Sequence, residues 1–88
     1  MTIYAKDFYL KSGNEIKPGE QFFSTRGGNY LKGAILGHGV VPVMQILKIL
    51  KKVEYQGYIS IEYEGFEDVL EGIRIGFDNL KRMVSELP

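Results

Sequence analysis

Cysteine is absent from the chain, so neither a disulfide framework nor a thiolate metal site can compensate for a small core. An excess of charge of one sign is missing too. Eleven Lys and Arg balance eleven Asp and Glu, which removes the whole-chain attraction that nucleic acid or an anionic membrane surface normally exploits. No stretch is apolar for the length of a membrane span, and the opening Met1-Thr2-Ile3-Tyr4-Ala5-Lys6-Asp7 lacks a basic segment followed by an apolar run. These absences predict a soluble, unprocessed, cytoplasmic protein with neither nucleic-acid nor membrane partners. What is present is ordinary for a globular protein: 44% hydrophobic and 25% charged residues, which argues against a disordered or fibrous chain. At 88 residues the core must be thin, and the chain reads as one small domain or a piece of one.

Residues 2–8, with Ile3, Tyr4, Ala5 and Phe8, suit a short buried strand. Residues 9–39 are then punctuated by Ser12-Gly13-Asn14, Lys17-Pro18-Gly19, Gly27-Gly28-Asn29 and Gly37-His38-Gly39. Such clusters favour turns, and they predict a long structured loop of active-site type, with Leu10 and Phe22-Phe23 marking some packing or a short hairpin. From Pro42 onward, Val43, Ile46, Leu47, Leu50 and Val53 fall on one helical face, and Tyr55-Gln56-Gly57 supplies a stop. A second strand is expected over residues 58–63, nearly continuous in β-branched and aromatic residues and closed by Glu62 and Glu64. After Gly65, the spacing of Leu70, Ile73, Phe77, Leu80 and Val84 predicts a second helix, with Glu67 favoured near its start by the helix dipole. Strand, loop, helix, strand, helix is the order of parallel α/β structure. Two parallel strands leave open edges, so a partner or further sequence is expected to cover them.

Three segments carry a resemblance: Ile3-Tyr4-Ala5-Lys6-Asp7-Phe8, Gly37-His38-Gly39-Val40-Val41-Pro42-Val43, and Tyr55-Gln56-Gly57-Tyr58-Ile59-Ser60-Ile61-Glu62-Tyr63-Glu64-Gly65. In order and spacing they resemble successive blocks of the xylose isomerase-like sugar phosphate isomerase/epimerase family. The resemblance implies a partial TIM barrel, the last two strand–helix units of eight, over residues 1–88 as a single partial-barrel domain. In such barrels the site lies at the C-terminal ends of the strands. The family holds a divalent metal, manganese or similar, with carboxylates and a histidine, and acts on sugars or sugar phosphates. Glu62 matches the glutamate that ligates metal and assists proton transfer beside the sugar carbonyl. The usual histidine, three positions before Asp7, is Tyr4 here, a poor ligand for a divalent ion at neutral pH. Arg26, Lys6 and Asp7 match substrate-contacting positions, although Lys6-Asp7 reads equally as a strand-terminal ion pair. His38, between two glycines, reads as a loop residue.

Most of that active site lies outside these three segments. The expectation is a C-terminal fragment or truncated homologue of the enzyme, inactive alone and holding no metal by itself. Two other readings stay open: a non-enzymatic homo-oligomeric module, or a subunit completing a separately encoded N-terminal part of the barrel. The glycine-rich pieces are not a phosphate-binding P-loop, since no Gly-Lys-Ser/Thr follows them.

Overall fold

The computed structural model describes residues 1–19 and 21–88; residue 20, within the expected loop 9–39, lies outside the described residues. The expected first strand is broken at Lys6. β1 (Thr2–Ala5) and β2 (Asp7–Lys11) belong to two different sheets. β1 pairs in parallel with β5 (Tyr58–Ile61), in the register Ile3↔Ile59 and Ala5↔Ile61. β2 pairs antiparallel with β4 (Tyr30–Ala34), whose other edge takes the two-residue β3 (Phe23–Ser24). Residues 9–39 are therefore not a single loop. Parts of this segment, with residues 7 and 8, form a three-stranded antiparallel sheet, joined through turns at the glycine clusters, and Phe8 meets Phe23 edge-on at 6.3 Å. Alternation and glycine density conceal these strands, because Tyr9, Lys11, Tyr30 and Lys32 are polar or amphipathic along one face.

Helix α1 (Val43–Lys52) begins after Pro42, as the missing proline N–H allows, and turns Val43 and Leu47 inward. Its stop lies earlier than Gly57. Glu54 takes φ of 55°, the Glu54 N–H donates to the Lys51 carbonyl, and the Tyr55 N–H donates to the Leu50 carbonyl. This Schellman arrangement satisfies the last carbonyls but places a glutamate where glycine is favoured. Lys51 and Lys52 in the last turn complement the helix dipole.

Helix α2 (Val69–Ser85) is capped by Asp68, whose carboxylate accepts from the Glu71 N–H at 3.1 Å. Glu67 is not the cap. The apolar stripe read from the sequence is also not the buried face: only Leu80 of that set is buried, together with Gly72, Gly76 and Asn79. Close approach explains the displacement. A Cβ at residue 72 would sit 2.5 Å from the Tyr63 ring, and one at residue 76 would sit 3.2 Å from Leu36 Cβ. Two helix-interior glycines cost about 1 kcal/mol each in propensity, and here they let the helix backbone seat directly on Tyr63, Leu36 and Ile61. Asn79 Nδ2 then donates to the Leu36 carbonyl at 2.8 Å.

Ile3, Ala5, Ile59 and Ile61 point to the helix side of the parallel pair, where Leu36, Val43, Leu47 and Leu80 make the core. That core is thin, as the chain length requires. The Cα radius of gyration is 14.3 Å, against about 12 Å for a compact chain of this length, because the antiparallel sheet projects from the α/β part. The described residues form a small α/β domain with two sheets, and neither sheet closes into a barrel.

Candidate functional site

In a parallel pair, residues in register share a face. Tyr4 is opposite Ser60, and the ladder continues as the Glu62 N–H donates to the Ala5 carbonyl at 2.9 Å. Thr2, Tyr4, Tyr58, Ser60 and Glu62 therefore line the face turned away from the helices. This face is open. Tyr4 is 65% exposed, and Glu62 is exposed with no side-chain hydrogen bond or ion pair among the described residues. Glu62, the site residue expected from sequence, thus lies on the same face as Tyr4, which stands where the resemblance would place a histidine, at the C-terminal end of the parallel strands.

Lys6 and Asp7 follow immediately but do not pair with each other. Lys6 Nζ bonds Glu64 Oε1 at 2.9 Å and rests 5.5 Å over the Phe8 ring. The Glu64 side chain is largely in solvent, so this bridge contributes about 1 kcal/mol at most. Asp7 is 1% exposed. Its Oδ1 accepts from the N–H groups of Phe8 (2.8 Å) and Val41 (3.0 Å), and its Oδ2 from those of Gly37 (2.9 Å) and Gly39 (3.0 Å). With four donors on two oxygens, this carboxylate has no orientation left for a substrate. It pins the turn that precedes α1 to the point where the chain leaves one sheet for the other. Glycine is needed there: Gly37 has φ of 95°, and a Cβ at residue 39 would lie 2.1 Å from the Phe8 carbonyl oxygen. His38 rides on this turn, exposed, with its N–H donating to the Ile35 carbonyl.

Arg26 is not brought to the site. It lies in the exposed turn between β3 and β4, at the Tyr30 end of β4, whereas the Ala34 end is the one paired with Asp7. The length of β4, about 16 Å for five residues, separates them.

A polar cluster that the sequence did not reveal lies beyond Glu62. The Tyr63 hydroxyl donates to the Glu67 carboxylate and accepts from the Glu67 N–H at 2.8 Å. Desolvation, with the bond to Glu67 next, raises the Tyr63 phenol above its ordinary value. The same bond holds the Glu67 carboxyl low, helped by its own backbone N–H and by the positive charge of Lys32 and His38. Lys32 Nζ also sits 5.4 Å from the rings of both Tyr9 and Phe66. An i, i+4 tyrosine–glutamate pair spanning a strand end and a helix start has no periodic signature, so only the fold exposes it.

Fit to a divalent metal is poor. Among the described residues, no three His, Cys, Asp or Glu side chains come together in a way that could hold a metal ion. Glu62 stands beside a tyrosine, Asp7 is consumed by backbone donors, and Glu64 and Glu67 are engaged by Lys6 and Tyr63. These residues supply one free carboxylate, which is not a coordination set. Among the described residues, no helix is long and apolar enough to cross a membrane. No protein-family model, curated protein or solved structure matches the chain.

Proposed function

We propose that this chain is a strand–helix portion of a sugar isomerase/epimerase-type barrel and does not perform the reaction alone. The observation that carries the reading is Glu62: a free carboxylate at the C-terminal end of a parallel strand, on the face shared with Tyr4 and Ser60. In an enzyme of this kind that position faces the sugar. A carboxylate there takes the proton from the hydroxyl-bearing carbon next to the carbonyl and returns it to the former carbonyl carbon, while the proton of that hydroxyl passes to the carbonyl oxygen, with Tyr4 and Ser60 offering hydroxyls to the sugar's oxygens. Catalysis of this type depends on several groups held together, and one base contributes about 10²–10⁴-fold, far short of a whole enzyme. The residues at hand do not make the family's metal site, so the rest of the site must come from elsewhere.

The test uses the purified chain. ¹⁵N NMR spectra are recorded with millimolar ketose phosphate, and isomerase and epimerase turnover is assayed with and without Mn²⁺. The expected result is small shifts at Tyr4, Ser60 and Glu62 that vanish in Glu62→Gln, and no turnover. Shifts confined to other residues would refute the site. Turnover that disappears in Glu62→Gln would refute the dependence on further parts.

The open strand edges favour a second reading, in which the chain serves by association, either with itself or with a separately encoded barrel part. Co-purification with such a part, and restored turnover in the complex, separates that case from a stand-alone module.

A further inference from the structure

The parallel pair is open on both sides. Among the described residues, no strand lies beyond β1 or beyond β5. The Tyr58 N–H donates to the Met1 carbonyl and the Glu62 N–H to the Ala5 carbonyl, so Met1, Ile3 and Ala5 turn their backbone groups toward β5. By strand alternation, Thr2 and Tyr4 turn theirs to the free edge of β1, and Ile59 and Ile61 turn theirs to the free edge of β5. An apolar cavity of about 110 Å³ opens at the first of these edges, between Ile3 and Ala5 of β1 and Val43, Ile46, Leu47 and Leu50 of α1. Tyr4 borders it as well, although its side chain lies on the other face, which places the opening at the backbone of the strand. We propose that the free edge of β5 of a second copy docks in parallel on the free edge of β1, with an isoleucine of β5 filling the cavity. The inference rests on the second reading above, in which the chain serves by association, and names the partner and the contact.

Unpaired backbone donors and acceptors call for a strand at this edge, and β5 is a strand whose own outer groups are unpaired. With Tyr4 opposite Ser60 of the second copy, the Tyr4 N–H donates to the Ile59 carbonyl of that copy, and the Tyr4 carbonyl accepts from its Ile61 N–H. This repeats between copies the register that β1 and β5 keep within one. Ile59 and Ile61 of the second copy then stand on the helix side beside Ile3 and Ala5, where the dry apolar cavity receives a branched aliphatic side chain. The helices agree with the same step. On α1, the exposed Ile46, Ile49 and Val53 lie roughly a quarter turn to one side of the buried Val43 and Leu47. On α2, the exposed Ile73, Phe77 and Val84 lie roughly a quarter turn to the opposite side of the buried Gly72, Gly76 and Leu80. Ile46 borders the cavity, so the α1 flank faces the β1 edge, and with both helices running against the same core the α2 flank faces the β5 edge. Lys48, Lys51 and Lys52 project from the other side of α1 and stay in solvent. One head-to-tail step therefore covers two strand edges, the cavity and both helix flanks, whereas a two-fold contact through either edge leaves the other uncovered. Each copy adds two parallel strands, so four copies close an eight-stranded ring with the helices outside. Closure turns Tyr4, Ser60 and Glu62 of every copy inward, so a face that holds one free carboxylate in a single chain is shared with its neighbours.

Sedimentation equilibrium of the full chain, and of variants alone and mixed, tests the contact. The wild-type protein is expected at four times its 10.0 kDa mass. Tyr4→Pro removes an edge donor without touching the β1–β5 ladder, and Phe77→Glu places a charge on the α2 flank. Each variant alone is expected to sediment as a monomer. Mixed, the two are expected to form a heterodimer, because the first keeps its β5 side and the second its β1 side. Circular dichroism verifies that each variant is folded, and Ile49→Glu, on the exposed flank of α1, takes the place of Tyr4→Pro if the proline unfolds the chain. A wild-type monomer at the highest soluble concentration, a wild-type assembly that stops at two copies, folded variants that assemble as the wild type does, or a mixture that stays monomeric would each overturn the inference. A wild-type monomer that co-purifies with a separately encoded barrel part would overturn it while leaving the association reading intact.

Discussion

Asp7→Asn is the most informative single change, because it preserves shape while altering what the side chain accepts. The wild-type carboxylate receives four backbone N–H groups, two on each oxygen. The amide keeps one oxygen, with its two donors, and turns an NH₂ group toward the other two. A hydrogen bond to a charged group contributes about 1.5–3 kcal/mol, so losing two costs about 3–6 kcal/mol. Relief of the buried charge offsets part of this, and the net loss should fall near the lower end, about 3–4 kcal/mol. A chain of 88 residues has about 4–13 kcal/mol of stability in total. The thin core puts this protein at the lower end, so the variant should stand at the edge of unfolding in water. Urea denaturation followed by far-UV circular dichroism measures the difference. A loss below 1 kcal/mol with an unchanged urea dependence would show that the four bonds do not organise the fold. Hydrogen exchange localises the effect, since the Gly37, Gly39 and Val41 amides should lose protection first.

Glu54→Gly should stabilise the chain by about 1 kcal/mol in thermal unfolding, because it removes a left-handed side chain from the end of α1 while keeping both closing hydrogen bonds. Gly33→Ala should do the opposite, losing about 1–3 kcal/mol in the same assay, since its methyl group would lie 2.0 Å from the Glu64 carbonyl oxygen and force the strand-end segment away from β4. Tyr63→Phe should change the pH dependence of stability. Glu67 titrates low in the folded state, so its contribution is present above the ordinary glutamate value and lost as pH falls through the lowered one. Tyr63 titrates high, so its contribution is present below the ordinary tyrosine value and lost as pH rises through the raised one. The variant should flatten both ends of the pH–stability curve. NMR titration should return the Glu67 carboxyl towards its ordinary value. Glu62→Gln should leave the unfolding midpoint unchanged, because that side chain is exposed and makes no side-chain bond or ion pair among the described residues.

The alternation of α and β elements was legible because helical periodicity in α1 and α2 and the β-branched run before Glu62 are local signals. The face on which Glu62 stands was not legible in that nearly continuous run and follows only from the pairing of β1 with β5. The break at Lys6 was not legible. Nothing in Ile3 to Phe8 marks a change of sheet, and the cause is the distant set of amides at Gly37, Gly39 and Val41 that captures Asp7. The buried side of α2 was misread for a related reason. Hydrophobic spacing points to Leu70, Ile73 and Phe77, whereas Gly72 and Gly76 pack against Tyr63 and Leu36, contacts that appear only in three dimensions. Lys6 and Asp7 read as a pair because they are neighbours, yet each finds its partners elsewhere in the chain.

The switch between sheets at Asp7 also bears on the order in which the chain assembles. β2 and β4 lie closer in sequence than β1 and β5, so their antiparallel pairing closes a shorter loop and can form earlier. β1 and β5 join the beginning of the chain to residues beyond α1, a closure that becomes favourable only after the helix has something to pack on. The parallel pair is therefore expected to form last. In native-state hydrogen exchange the antiparallel sheet, which projects from the core, is expected to open locally, whereas the amides bridging β1 and β5, whose Ala5, Ile59 and Ile61 pack on Leu36, Leu47 and Leu80, should exchange only when the core opens.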